Sequence, residues 1–79
     1  MTVRFGGALG VAAGVARETV ELEAGATVAD LLSVLGRTHI ALEAGLDSTL
    51  TVTRGVHVSG EAILADRDEV SLLLPVSGG

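Results

Sequence analysis

Few residues of this 79-residue chain are equipped for chemistry, and most of those are poorly placed for it. His39 and His57 could hold a metal or move a proton, but no second histidine, cysteine or carboxylate stands at ligand spacing from either. His57 also falls on the polar side of an alternating run, so both histidines are expected to be exposed and inert. Asp66, Asp68 and Glu69 have the look of a calcium loop, yet its turn glycine and closing glutamate are missing, which leaves a solvated turn. Gly6-Gly7-Ala8-Leu9-Gly10 follows a strand-like run, as a phosphate cradle would. Position 8 is alanine, however, and no Gly-Lys-Ser/Thr follows, so a flexible connection is the better reading.

The ending Val76-Ser77-Gly78-Gly79 is different. It follows Pro75, carries no charge and has no bulky side chain up to the carboxylate of Gly79. Glycine lets the walls of an enclosing site close on the backbone. The six residues from Leu74 to Gly79 could extend about 20 Å, far enough to thread into the site of another protein.

Composition removes several alternatives. Cysteine is absent, so there is no disulfide, thiol nucleophile or iron–sulfur ligand, and lysine is absent as well. Five arginines against ten acids give a net charge of −5, the wrong sign for attraction to phosphates, so no nucleic-acid partner is expected. The uncharged run from Phe5 to Ala16 is interrupted by Gly6, Gly7, Gly10 and Gly14. It is too short for the roughly 18 residues that span a bilayer, which implies no membrane partner and a cytoplasmic protein.

The elements that must position the ending are legible from period. Thr2 to Phe5 alternates, with Val3 and Phe5 on one face, and Thr19 to Glu23 repeats the pattern with Val20 and Leu22 inward. Between them, Gly7 to Ala16 permits a short helix that each glycine weakens by about 1 kcal/mol relative to alanine. Thr27 with Asp30 three residues on forms a capping box, Val28, Leu31, Leu32 and Leu35 lie on one helical stripe, and Gly36 supplies the stop. Thr38 to Thr49 has no clean period and reads as a loop with about one helical turn. Leu50 and Val52, then Val56 and Val58, alternate around a turn at Arg54-Gly55, and Ile63-Leu64 reads as a short buried piece. The last strand, Glu69 to Leu74, ends at Pro75.

Strand, weak helix, strand, capped helix and further short strands form an α+β pattern, one main helix covering a mixed sheet of four to five strands. The expected core is Val3, Phe5, Val20, Leu22, Val28, Leu31, Leu32, Leu35, Val52, Val70 and Leu72. Leu73 breaks the alternation of the last strand and is expected to face outward, in an apolar patch that binds a partner.

The segment Asp68-Glu69-Val70-Ser71-Leu72-Leu73-Leu74-Pro75-Val76-Ser77-Gly78-Gly79 resembles the ending of the ubiquitin-like sulfur carriers of the MoaD and ThiS type, most closely the molybdopterin synthase small subunit. Ala12-Ala13-Gly14-Val15, Glu18-Thr19-Val20-Glu21-Leu22 and Thr27-Val28-Ala29-Asp30-Leu31-Leu32 are similar to the first half of that family. The resemblance implies a β-grasp (ubiquitin-like) domain over residues 1–75 and a flexible, extended Gly-Gly tail over 76–79.

It also implies a chemistry. The Gly79 carboxylate would be the working group, adenylated by a ubiquitin-activating-like adenylyltransferase that uses Mg-ATP and then converted to a thiocarboxylate with sulfur from a donor protein. That thiocarboxylate would serve molybdopterin synthesis in the pocket of a synthase large subunit, with Leu73, Pro75, Val76, Ser77 and Gly78 contacting partners. On this reading the chain binds no cofactor or metal and is a non-catalytic subunit. A carrier for thiazole, cysteine or secondary-metabolite sulfur, a ubiquitin-like protein modifier, and a plain β-grasp interaction domain are the alternatives.

Overall fold

The computed structural model describes residues 1–46, 48–65 and 67–74. Strands β1 (Thr2–Phe5), β2 (Arg17–Thr19), β3 (Leu50–Thr53), β4 (Val56–Val58) and β5 (Glu69–Leu73) form one mixed sheet in the order β2-β1-β5-β3-β4. β5 is central, parallel to β1 and antiparallel to β3. The helices are α1 (Ala8–Ala13), α2 (Val28–Thr38), a 3₁₀ turn (Ile40–Leu42) and α3 (Glu43–Leu46). This is the β-grasp arrangement that the resemblance implies.

The capping box at the start of α2 is present. The Asp30 amide donates to the Thr27 hydroxyl at 3.3 Å, and the Thr27 amide donates to the Asp30 carboxylate at 2.9 Å. Gly36 does not end the helix, which continues to Thr38 and stops at His39, where φ is −122°. Gly36 serves packing instead, since a Cβ there would lie 3.3 Å from Leu46 Cδ1.

α2 lies across one face of the sheet. Val28, Leu31 and Leu35 from the helix meet Val3, Phe5, Val70 and Leu72 from the two middle strands in a single cluster. Val20, as expected, and Leu9, Leu42, Leu46 and Leu64 complete it, whereas Leu22 and Leu32, expected in the core, pack only at its margin. Ile63 is exposed, and the burial falls on Leu64, whose amide donates to the Ala26 carbonyl.

Two strands depart from expectation. The second strand lies at Arg17–Thr19, not Thr19–Glu23, because its ladder with β1 closes at Met1 and Val20. In β3 the alternation has the opposite phase: Thr51 is buried at 3% exposure, while Leu50 and Val52 point to the other face. Register is the cause. Thr51 stands opposite Leu72, so the ladder with β5 forces Thr51 inward, whatever its polarity.

Candidate functional site

β5 delivers the ending of the chain. Its residues alternate strictly: Val70 and Leu72 are fully buried, and Glu69, Ser71 and Leu73 point to the uncovered face. Leu74 packs against the core, coming within 4.0 Å of the position a Cβ on Gly45 would take, so the strand's end is anchored beside α3. Of the expected site residues, Leu73 is exposed as anticipated, at 41%. Pro75, Val76, Ser77, Gly78 and Gly79 lie outside the described residues.

Leu73 does not stand alone. It is directly opposite Leu50, which is 38% exposed, and the neighbouring outward pair is Ser71 with Val52. The patch Leu50, Val52 and Leu73 was not legible from period, because the alternation put Leu50 and Val52 on the apolar side of their strand and Val52 in the expected core. Gly6 completes the geometry. Its amide donates to the Leu72 carbonyl at 2.9 Å, and a Cβ on Gly6 would fall 2.6 Å from Leu73 Cδ2. The missing side chain lets Leu73 lie over the end of β1.

His39 is not an exposed, inert histidine. Its ring is half-buried at 16% exposure, 2.9 Å from a Glu18 carboxylate oxygen, and it meets the Phe5 ring edge-on at a centroid distance of 5.9 Å. Glu18 reaches it because it stands opposite Val3 and so points to the helix-covered face. The pair ties the end of α2 to the edge strand β2. His57 is exposed, as expected.

Asp68, expected in a solvated turn, is held instead by two donors: the Ala65 amide at 2.8 Å and the Arg54 guanidinium at 2.8 Å. The Ala65 hydrogen bond first, and the Arg54 hydrogen bond and charge after it, keep the Asp68 carboxyl below its ordinary range, against an opposing effect of desolvation. Among the described residues, no group of three histidine, cysteine or acidic side chains could hold a metal ion. The arrangement packs the end of β5 against the core and leaves Leu73 exposed beside it.

The ThiS family model matches residues 3–79, nearly the whole chain. The chain belongs to the ThiS family. It is a ubiquitin-like sulfur carrier of the MoaD and ThiS type, and several solved structures are similar to it. Haloferax volcanii small archaeal modifier protein 1 is 29% identical with a TM-score of 0.88, over 99% of this chain and 97% of that one. A Pyrococcus furiosus protein described as molybdopterin converting factor subunit 1 is 28% identical with a TM-score of 0.85, over 95% of each chain. Subunit 1 in a complex with subunit 2 of the molybdopterin-converting factor from Helicobacter pylori is 23% identical with a TM-score of 0.71, over 99% of this chain and 96% of that one, and shares the fold. No curated protein is a significant match in sequence. Within this ThiS-family chain, no helix among the described residues is long and apolar enough to cross a membrane.

Proposed function

We propose that this ThiS-family chain carries sulfur as a thiocarboxylate on Gly79 and donates it in molybdopterin synthesis. The observation that carries the reading is the family match running through to residue 79, so that the Gly78-Gly79 ending is part of what is matched. A carboxylate is a poor electrophile. Its oxygen attacks the α-phosphorus of ATP on an adenylyltransferase and displaces pyrophosphate, with Mg²⁺ balancing the phosphate charge there. The terminal sulfur of a persulfide on the donor protein then attacks the acyl carbon and AMP leaves. A second thiol of the donor cleaves the resulting acyl disulfide, leaving a disulfide on the donor and the thiocarboxylate on this chain, which is the nucleophile toward a pterin precursor on a large subunit. The likeness to molybdopterin converting factor subunit 1, and the fold shared with a subunit that binds subunit 2, favour this pathway and partner. Leu73 would contact the partner, and Pro75, Val76, Ser77 and Gly78 would line its channel.

Incubation with an adenylyltransferase of this class, ATP and a sulfur donor should change the intact mass by one oxygen-for-sulfur exchange. Neither removal of Gly79 nor a one-residue extension should allow it, because the extension moves the carboxylate about 3.5 Å past its place. Equal modification of native and extended chains would overturn the mechanism.

A second reading, a protein modifier, is favoured by the likeness to small archaeal modifier protein 1. It is tested by conjugates on lysines of other proteins. The chain contains no lysine, so a lysine-linked ladder of this protein alone should not form.

A further inference from the structure

The bare face of the sheet carries an arrangement that fold stability does not explain. Arg4 and Arg17 stand directly opposite each other on β1 and β2. Both point outward, since Val3, Phe5 and Glu18 between and beside them turn toward the helix. Their pairing is also the close kind. Met1 and Val20 exchange two backbone hydrogen bonds of 2.9 Å, which makes every second pair along the ladder, including Arg4 with Arg17, a non-hydrogen-bonded pair. In such pairs the side chains approach most nearly, and like charges directly opposite are destabilising.

One acid, Glu69, answers Arg4 through Nε at 2.9 Å, and Arg17 has no ion pair among the described residues. The register continues the row across the sheet as Arg17, Arg4, Ser71, Val52 and His57, with Leu73 and Leu50 in the next outward row. At the β2 edge a shallow hollow of about 360 Å3 is lined by Arg17 with Thr2, Thr19 and one acid, Glu18. In a chain of net charge −5, the uncovered face therefore presents cations next to an apolar pair.

We propose that the outward face of the sheet docks an acidic protein segment, whose carboxylates pair with Arg4 and Arg17 while an apolar side chain seats against Leu50 and Leu73. The inference rests on the reading of Leu73 as a partner contact and names the chemistry of that partner. Guanidinium groups suit carboxylates through paired hydrogen bonds, and the neighbouring leucines favour a protein segment over a bare anion. The charge complementarity would speed encounter and set orientation more than it would add affinity.

The test is a titration of the full chain with a capped peptide in which two glutamates flank a leucine, followed by backbone amide shifts. Saturable shifts are expected at residues 4, 17, 50, 71 and 73, fading as added salt shortens the screening length below about 10 Å. The Arg4→Gln, Arg17→Gln double variant should weaken binding by about tenfold. Arg17→Gln alone should leave the unfolding midpoint unchanged or raised, because it removes a repulsion. Absence of saturable shifts overturns the proposal, as does equal binding by the double variant or by a peptide with lysines in place of glutamates. Equal binding of a short oligonucleotide overturns it in favour of a phosphate ligand, and a lowered midpoint in Arg17→Gln makes the residue structural. Thiocarboxylate formation is not read here, so the carrier reading stands or falls on its own mass measurement.

Discussion

The two faces of β5 are one residue apart in sequence and opposite in what they do. Val70 and Leu72 are fully buried beneath α2, while Ser71 and Leu73 lie on a face that no helix among the described residues covers. A leucine is placed on each side, so residue type does not distinguish them. The covered leucine exchanges water for close-packed neighbours, which holds the fold together. The bare one keeps its contact with water, and burying it stabilises only a complex. At alternate positions the central strand builds the core and leaves an apolar side chain open to solvent.

Truncation of the buried side chains should have the largest effect. Leu72→Ala is expected to cost about 2–5 kcal/mol, and Phe5→Ala about 3–5 kcal/mol, because each leaves a cavity that the surrounding residues cannot fill. Leu73→Asp should shift chemical unfolding by less than about 1 kcal/mol and yet prevent partner binding. Comparable losses of stability at positions 72 and 73 would mean that the two faces do not differ as described.

The next effect concerns the edge of the covered face. His39→Ala removes both the Glu18 hydrogen bond and the ring packed on Phe5, so a loss of about 1–3 kcal/mol is expected in denaturant unfolding. His57→Ala, on the bare face, should be neutral within about 0.5 kcal/mol. If the two histidine variants behave alike, the tie between α2 and β2 contributes nothing.

Gly6→Ala acts where β1 meets the outward side of β5. The added methyl would meet the flexible end of Leu73 at 2.6 Å and the Leu72 carbonyl at 3.2 Å, so the Leu73 side chain must swing away from β1. A small loss of stability, about 1 kcal/mol, is expected together with a changed methyl environment at Leu73 in NMR. An unmoved Leu73 methyl resonance would contradict the close approach.

The smallest effect belongs to Asp68, just before β5. Its carboxyl titrates below the ordinary value of 3.8 in the folded chain. Its stabilising contribution is therefore present above that ordinary value and is lost as pH falls through the lowered one. Asp68→Asn should flatten the acid limb of the stability profile and leave its slope above neutrality alone. An unchanged acid limb would show that the Ala65 and Arg54 contacts do not bias the titration.

The local features of the fold were legible from the chain alone. Thr27 with Asp30 specified the start of α2, because a capping box is satisfied within one turn and needs no distant partner. The alternation in β1 was equally plain, since Val3 and Phe5 are apolar and Thr2 and Arg4 polar, and Val70 and Leu72 marked the inner side of β5 although Leu73 is apolar on the other. Leu9, Leu42 and Leu46 escaped detection as core residues because they lie in short helical segments, where too few turns repeat for a period to show.

By itself the sequence determined the fold class, the cysteine-free and lysine-free chemistry, and the Gly78-Gly79 ending, all of which follow from residue types and their nearest neighbours. Only the tertiary structure decided which side of β3 is buried. Alternation says that a strand has two faces, but the hydrogen-bonded register with β5 selects which one turns inward, and it placed Thr51 beneath the helix and Leu50 and Val52 in the open. The same holds for the pairs His39 with Glu18 and Arg4 with Arg17, whose members are 21 and 13 positions apart and meet only because strand register and the end of α2 bring them together.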